Sequence, residues 1–439
     1  MYKPIKVIDI ELSNAITDMG CLDGYASVQG LVRLHGIPLG YVRVAVTDGC
    51  CQRSAIVKAI LDEFETVIAD HISLNGTGGR SQPNTIALEN VVGTSRAITI
   101  SGSFPRVTVS VCTRDRSNVL VNCLNGLIKL SYPNLEVIVI DNAPATDITE
   151  CLVRQQYPFF RYCCEPIPGL DWARNRAIRE ATGEIIAYID DDAVTDPGWV
   201  TALMKTFAES SEIMAVTGLV VPLELETEAQ YLFEVYGGFG KGFERKLGWM
   251  DPSFDYKDRF HYCTRFGTGT NMAFRHKIFD HIGLFDTALD VGTPTAGGGD
   301  LEILFRLLKS GYALVYEPSA IVRHRHRSDD DGLKKQIASW GTGFYAYLVR
   351  TALVYPEERI GALRFGLWHF WKRYIRRGID SYRPKYQYRL GGMRSLIGAE
   401  LGGSLLGPLF YLMARRKAKA IEDRCSEYET ESFGSNNRL

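Results

Sequence analysis

The stretch EIIAYIDDD at residues 184–192 decides the fold of this chain. Five apolar residues lead directly into three adjacent aspartates. An apolar run bounded by polar residues is typical of a strand that is buried on both faces. In an open α/β sheet, ligands bind outside the carboxyl ends of such strands. Clustered carboxylates repel one another, so this edge predicts either a bound hard divalent cation or a solvated turn or helix cap.

The composition indicates a soluble globular protein with an uneven distribution of charge. The 439 residues are 46% hydrophobic and 23% charged, and the length allows two or three domains. Residues 359–419 contain 14 Lys or Arg and two acids, a local charge of +12. Because the net charge of the chain is −1, the other residues together carry −13. This asymmetry predicts an acidic catalytic body and a basic region that meets an anionic partner.

Targeting and redox signals favour a cytoplasmic protein, with a peripheral position on the cytoplasmic membrane face left open. The N-terminus has no long apolar segment of a secretory signal. The ten cysteines form no CxxC pair, so we expect them to be reduced, buried and without a metal. Residues 396–413 are apolar but include Glu400, four glycines and Pro408, so we do not expect this segment to span a membrane, and a position on a membrane surface is left open.

The pattern along the chain divides it into five segments. Residues 1–72 predict an α+β accessory module, in which the turn at 35–38 joins two alternating segments into a hairpin. Residues 73–103 have the composition of a linker. Residues 104–330 alternate strands with helices, which predicts a mostly parallel sheet flanked by helices. Residues 331–420 predict a basic, aromatic helical region, and residues 421–439 a disordered tail.

Polar groups follow the predicted strands, where parallel strands bring them to one edge of the sheet. Asp141 and Asp190 could meet a base and a ribose, Arg114 and Arg174 a diphosphate, and Asp192 a metal. The chain has no Walker A motif, and no GxGxxG follows the first strand of the alternating region. P-loop and dinucleotide chemistry are therefore disfavoured.

Seven motifs in order then resemble the family-2 inverting glycosyltransferases of the GT-A fold, which are nucleotide-diphospho-sugar transferases. The resemblance covers roughly residues 104–330, about half of the chain. The motifs occupy residues 112–116, 137–142, 169–178, 183–193, 267–274, 292–308 and 322–327. Such an ordered set is far more specific than an aspartate triplet alone.

The resemblance implies a role for each nucleotide-binding residue. Thr113 and Asp141 would contact the base, and Arg174 would face the base or the diphosphate. Asp190 and Asp192 would form the DxD pair, with Asp192 as the metal ligand and Asp190 nearer the ribose. Because three aspartates are adjacent, Asp191 could share either role. A divalent cofactor, Mn²⁺ or Mg²⁺, is implied with them.

The resemblance also implies a catalytic base and a further metal ligand. Asp300 would be the base, although this chain has Gly299-Asp300 where many relatives have Glu-Asp, and a plain helix N-cap is the alternative. One of His324 and His326 would complete the metal shell or touch the diphosphate, and we favour His324. The alternative for this pair is a solvated basic loop.

We therefore expect transfer of a sugar from a nucleotide-diphosphate donor, with UDP favoured, to a hydroxyl of a glycan or a lipid-linked acceptor. Trp199 and the loop 236–243 could line the acceptor groove, although Trp199 could equally pack in the core. A catalytically inactive glycan- or nucleotide-binding module and a sugar nucleotidyltransferase are the competing hypotheses. An anionic membrane and a second copy of the chain are open as partners, and no motif supports nucleic acid.

Overall fold

The computed structural model describes residues 2–74, 105–251, 253, 255–376, 379 and 393–436. The predicted linker lies outside the described residues except for its first two, which end the first helix. The N-terminal module consists of strands β1 (Ile5–Glu11), β2 (Ser27–Leu34) and β3 (Ile37–Ala45) and helix α1 (Arg53–Leu74).

The predicted hairpin of the N-terminal module is present, and its turn explains why it forms. β2 runs antiparallel to β3 and parallel to β1. The two turn residues, His35 and Gly36, have φ angles of 52° and 80°, as the tight turns favoured by hairpins require. The Glu11 carboxylate accepts hydrogen bonds of 2.9 Å from both of their backbone amides, which fixes the turn.

The central region is an α/β sheet, as the sequence predicts. Its strands are β4 (Val107–Thr113), β5 (Leu135–Asn142), β6 (Arg161–Glu165), β7 (Ile185–Asp190), β8 (Ala193–Thr195), β9 (Ile213–Pro222), β10 (Lys246–Gly248), β11 (Asn271–Arg275) and β12 (Ala313–His324). Within the described residues the strand order is β6-β5-β4-β7-β11-β9-β12-β10, and β8 pairs with β12. β4 to β7 are mutually parallel, whereas β11 is antiparallel to both of its neighbours.

Helices cover both faces of this sheet, which explains its continuous apolar strands. They are α2 (Ser117–Ile128), α3 (Ile148–Gln156), α4 (Leu170–Glu180), α5 (Trp199–Glu209), α6 (Glu228–Tyr236), α7 (Tyr256–Tyr262), α8 (Phe279–Ile282) and α9 (Gly299–Lys309). One core packs α2 and α5 against the sheet, and the other packs α4 and α9 against the opposite face. β4 lies between β5 and β7 in the sheet. The connections from β4 therefore lead towards one edge of the sheet on one side and towards the other edge on the other side, which leaves a crevice at the ends of these strands.

A layer of three long helices follows the sheet: α10 (Asp330–Val354), α11 (Arg359–Phe370), which continues as a π-helical turn Trp371–Arg376, and α12 (Arg394–Asn436). α12 lies directly on the backbone of α10. A Cβ added to Gly403 would lie 2.0 Å from the carbonyl oxygen of Ala338, and one on Gly341 would lie 2.2 Å from that of Glu400. Only glycine permits this approach.

α12 continues to Asn436, past residue 421 where we predict a disordered tail. This stretch contains Glu422, Glu427, Glu429 and Glu431, and Glu is a good helix former. In the described part of the chain, one helix, Arg394–Arg424, is long and apolar enough to cross a membrane. In its most apolar segment, 39% is buried against the rest of the protein.

Of the two alternatives for Trp199, the structure shows core packing, since its side chain is fully buried and its indole Nε1 donates a 2.9 Å hydrogen bond to Asn271. The prediction that the cysteines are buried needs correction, because four of the nine whose side chains are described are exposed. These four are Cys21, Cys50, Cys151 and Cys164, which lie in turns, near helix ends or at a sheet edge.

Candidate active site

A cavity of about 1240 Å³ opens at the crevice between the ends of β4 and β7. Most of the predicted site residues contribute to its wall: Thr113, Arg114, Arg174, Asp190, Asp191, Asp192, Asp300 and His324. Asp141 and His326 are outside this wall and bond to residues behind it. The chain therefore brings seven separate motifs to one cavity, as the topology of the sheet requires.

The three adjacent aspartates have different partners. Asp190 accepts a 2.6 Å hydrogen bond from the Thr270 hydroxyl, and Asp191 accepts one of 2.7 Å from the Thr113 hydroxyl. Arg116 bridges Asp191 and Asp192, at 2.7 Å from the latter. The second oxygen of Asp192 lies 3.1 Å from Nε2 of His324.

These surroundings give the three carboxyl groups different acidities. Burial raises the pKa of Asp190, and the neighbouring charge of Asp192 adds to the shift. Burial also raises the pKa of Asp191, to about 7, although Arg116 opposes it. For Asp192 the effect of burial is outweighed by His324 and Arg116, which hold its pKa below the ordinary value. Asp192 is thus the carboxylate of the triplet that stays ionised most firmly.

Asp190, Asp192 and His324 form a set of side chains that fits a divalent metal ion. One ligand atom from each lies within 4.8 Å of the others. Two ligands at right angles around Mg²⁺ are separated by ~3 Å, and Nε2 of His324 and Oδ1 of Asp192 have that spacing, at 3.1 Å. Carboxylate and imidazole donors suit Mg²⁺ and Mn²⁺. Asp191 is turned towards Thr113 and Arg116, and it does not belong to this set.

A chain of hydrogen bonds continues behind His324. Its Nδ1 lies 3.0 Å from Nδ1 of His326, and Nε2 of His326 lies 2.9 Å from the carboxylate of Glu234 on α6. Both rings are buried, and burial lowers the pKa of His326 although Glu234 opposes the shift. The pair is therefore an internal network, not a solvated basic loop.

Asp300 lies in the first turn of α9, where its carboxylate forms part of the cavity wall. It is not the N-cap, because Gly298 occupies that position with a φ of 98°. Its two oxygens accept hydrogen bonds from the backbone amides of Leu301 (2.8 Å) and Gly269 (2.9 Å). Burial raises the pKa of Asp300, and the nearby Asp290 raises it further. A carboxylate with this increased basicity can accept a proton from a hydroxyl.

Arg174 is buried beside Asp300 and already has two anionic partners. Its Nη1 donates to Asp171 at 2.8 Å and to Asp290 at 2.6 Å. Part of its charge is thereby neutralised inside the protein. Direct contact of Arg174 with a base or a diphosphate stays a prediction. Its hydrogen bonds to Asp171 and Asp290 hold together two segments of the cavity wall.

Asp141 lies at the end of β5 and is fully buried. One oxygen accepts a 3.1 Å hydrogen bond from the Tyr162 hydroxyl, and the other has no hydrogen-bond partner among the described residues. Burial raises the pKa of Asp141 to about 6. An acceptor atom without a partner so close to the cavity is a reason to keep the prediction that Asp141 meets a base.

Sequence reasoning missed several residues of the site. Arg116 and Thr270 lie inside motifs that we quote, so a search for partners of the aspartates could have singled them out. Lys241 belongs to the glycine-rich loop that, as predicted, reaches the cavity. Glu234 and Asp290 carry no local signal, because they acquire a role only when distant segments meet.

The fold and this site together define a nucleotide-sugar transferase: an α/β sheet with a carboxylate–imidazole cluster and a basic carboxylate at one cavity. Residues 108–283 match the family model described as glycosyl transferase family 2. The central domain is similar to that family over these residues, and the comparisons support a glycosyltransferase that uses a nucleotide-sugar donor. The predicted family, fold class and enzyme class are confirmed.

Three proteins to which the chain is similar are distant from it in sequence. The chain is 24% identical over 237 residues to a glucosyl-dolichyl phosphate glucuronosyltransferase of Haloferax volcanii, covering 52% of this chain and 72% of the relative. It is 24% identical over 257 residues to polypeptide N-acetylgalactosaminyltransferase 5 of Caenorhabditis elegans, covering 55% and 39%. A mannosyltransferase of Pyrobaculum calidifontis, solved with GDP-Man and Mn²⁺, is similar with a TM-score of 0.45 and 17% identity, covering 70% of this chain and 87% of that one.

Proposed function

We propose that this protein is a metal-dependent, inverting glycosyltransferase that moves a hexose from a UDP-sugar to a hydroxyl of a glycan or lipid-linked acceptor. One observation carries the proposal. The ligand set Asp190, Asp192 and His324 shares its cavity with Asp300, a carboxylate of raised basicity. The first group suits the diphosphate of a donor, and the second suits the hydroxyl of an acceptor.

The ligand set would hold Mn²⁺ or Mg²⁺ through two carboxylates and one imidazole. A bound divalent ion supplies neutralisation of the charge that develops on a leaving diphosphate. Arg114 lies half-exposed in the cavity wall, and Arg116 is bonded to Asp192. Both guanidinium groups can add to the electrostatic stabilisation of that charge.

Asp300 would act as the base. As the acceptor oxygen attacks the anomeric carbon, its proton passes to the Asp300 carboxylate. The bond between the anomeric carbon and the diphosphate oxygen breaks, and its electron pair leaves with the diphosphate. A single displacement of this kind inverts the anomeric configuration, as it does in inverting glycosidases.

The preference for UDP follows from the family resemblance, and Thr113 and Asp141 are the residues proposed to hold its base. The Asp141 oxygen without a partner could accept the ring N–H of uracil, although GDP and dTDP also offer a ring N–H. Thr113 lies in the cavity wall and is hydrogen-bonded to Asp191 at the end of the neighbouring strand. The two residues are therefore suited to a base that enters between β4 and β5.

The acceptor side of the cavity is formed by the helical layer. Trp340 and Phe344 of α10 and His369 of α11 contribute to its wall. These ring faces can pack on the apolar face of a sugar. The name of the Haloferax relative includes a dolichyl phosphate, which supports a lipid-linked acceptor for this chain as well.

Calorimetric titration with UDP, GDP, dTDP and CDP, each with Mn²⁺ and with EDTA, tests the proposal. We expect UDP to bind in the presence of Mn²⁺ and the affinity to fall in EDTA. Asp192→Asn should weaken this metal-dependent binding about tenfold or more, because it removes a charged ligand. Asp280→Asn, an exposed substitution on α8, is the control.

Equal binding in EDTA would overturn the metal requirement. Absence of binding to all four would favour an inactive module, and release of pyrophosphate from a nucleoside triphosphate would favour a nucleotidyltransferase.

A further inference from the structure

α11 and the π-helical turn after it carry an apolar stripe on their outer side. The residues of the stripe recur every three or four positions and are largely exposed: Ile360 (73%), Leu363 (65%), Leu367 (65%), Trp371 (56%) and Ile375 (43%). The opposite side, with Ala362, Phe365 and Tyr374, is buried against the protein. A surface helix normally exposes polar residues, so a helix that is apolar on both sides indicates an apolar environment outside it.

α12 repeats this arrangement. Its exposed side carries Leu405, Leu406, Leu409, Leu412 and Met413, while Tyr411, Ala414 and Ala418 are buried against α10. Directly after the stripe come four exposed basic residues, Arg415, Arg416, Lys417 and Lys419. An apolar side next to a cluster of positive charge is the pattern of a helix that lies in the interface of an anionic membrane.

The two stripes belong to one rigid layer. The Tyr374 hydroxyl lies 2.7 Å from that of Ser404, and Arg373 donates to the buried carboxylate of Glu400 at 2.9 Å. These contacts place the end of the first stripe beside the start of the second. Arg373 and Glu400 also contribute to the wall of the cavity, so the layer that carries the stripes adjoins the acceptor side of the site.

We propose that the exposed stripes of α11 and α12 form a docking surface for an anionic lipid bilayer, which holds the protein on the membrane without crossing it. The +12 charge of residues 359–419 complements an anionic leaflet. If α12 spanned the bilayer, it would separate from α10 and lose the close contact at Gly403. Glu400 would also lose its hydrogen bond from Arg373. A buried carboxylate that loses its partner carries a large cost, so the interfacial orientation is favoured.

The test is co-sedimentation of the full chain with phosphatidylcholine vesicles that contain phosphatidylglycerol, compared with vesicles of phosphatidylcholine alone. Two double variants, Leu363→Gln with Leu367→Gln and Leu405→Gln with Leu409→Gln, remove the apolar stripes at exposed positions. Ile148→Gln with Phe159→Gln is the matched control, because both side chains are as exposed but lie far from the layer on α3 and in the turn after it. A fourfold variant replaces Arg415, Arg416, Lys417 and Lys419 by Gln.

We expect the unmodified protein and the control to bind the anionic vesicles, and each double variant to bind about tenfold less, since two buried leucines are lost from the interface. The fourfold variant should lose affinity by about tenfold or more, because each basic residue near an anionic surface contributes to binding. High salt should also weaken the binding of the unmodified protein, because it screens the attraction between the basic residues and the anionic lipids. Titration with UDP shows that each variant is folded, and it separates failure of this proposal from failure of the catalytic one.

Three results would overturn the proposal. The first is absence of binding to anionic vesicles, and the second is equal binding by the control and the stripe variants. The third is a self-associated protein that the stripe variants convert to a monomer while vesicle binding is unchanged, which would assign the surface to a second copy of the chain. Retention of the protein in vesicles after alkaline extraction would instead show that α12 spans the bilayer.

Discussion

Nδ1 of His324 lies 3.0 Å from Nδ1 of His326, and both rings are buried. A metal ion bound to Nε2 of His324 requires that nitrogen to be unprotonated, so Nδ1 must carry the proton and donate it to His326. His326 then has its own proton on Nε2, which donates to Glu234 at 2.9 Å. This assignment follows from the hydrogen-bond network. Glu234 would therefore orient His324, the proposed metal ligand, through His326.

The first prediction concerns Glu234. Glu234→Leu should weaken Mn²⁺ binding about 10–100-fold, because partners behind a metal ligand contribute on this scale. Calorimetric titration with Mn²⁺ measures the change. Glu234→Gln should retain most of the affinity, since the amide oxygen still accepts from Nε2 of His326. Glu228→Leu, exposed on the same helix, is the control. If Glu234→Leu binds Mn²⁺ as tightly as the control, the tautomer assignment is wrong.

The second prediction concerns Asp300. Asp300→Asn should lower the rate of sugar transfer by about 10²–10⁴-fold, the contribution typical of general base catalysis. The affinity for UDP should stay within about twofold, because Asp300 is not among the groups proposed to hold the nucleotide. The carboxamide oxygen of Asn can still accept one of the two backbone hydrogen bonds that Asp300 accepts from Leu301 and Gly269. Product formation and calorimetry measure the two quantities, with Asp280→Asn as the control. Transfer at the unmodified rate would remove Asp300 as the base.

The third prediction is a dependence of stability on pH that arises from Asp141. Burial raises the pKa of this carboxyl group from 3.8 to about 6, so the folded protein holds the proton more tightly than the unfolded chain does. The stabilisation by neutral Asp141 is therefore fully present below pH 3.8 and is lost as the pH rises through about 6. Asp141→Asn removes this loss.

Thermal unfolding of the protein without nucleotide, followed from pH 5 to pH 8 by scanning fluorimetry, tests this prediction. Between pH 5 and pH 8 the Asn variant should gain about 1–1.5 kcal/mol of stability over the unmodified protein, which is the part of the loss that falls above pH 5. Asp280→Asn should run parallel to the unmodified protein. A constant difference between Asp141→Asn and the unmodified protein across this range would contradict the raised pKa of Asp141.

The fourth prediction concerns the contact between α10 and α12. Gly403→Ala should destabilise the protein by about 1–3 kcal/mol, because a Cβ there would meet the Ala338 carbonyl oxygen and force the helices apart. Gly402→Ala adds the same methyl group one position earlier, where no atom lies within 4 Å, and it should stabilise the helix by up to about 1 kcal/mol. Chemical denaturation measures both. Equal effects would show that the helices are not in close contact.

The sequence predicts much of the sheet and of the site, but not every relationship within it. The aspartate triplet and its strand are local features, and the order of the motifs indicates the family. The role of each aspartate is not determined by its neighbours in the sequence. Asp191 turns towards Thr113, whereas Asp190 and Asp192 approach His324. The choice depends on strand pairing across the crevice, which places Cys112 opposite Asp190 and so brings Thr113 close to Asp191.

The sequence alone determined the α/β class, the hairpin at His35 and Gly36, and the presence of a carboxylate edge, because strand burial and turn geometry depend on neighbouring residues. Tertiary structure alone decided that Trp199 belongs to the core, that Glu234 supports His326, and that glycines of α10 and α12 meet. It also decided which apolar residues of α11 and α12 remain exposed on the surface of the protein. Each of these depends on contacts between segments that are far apart in the chain, and periodicity cannot show which side of a helix its neighbours will cover.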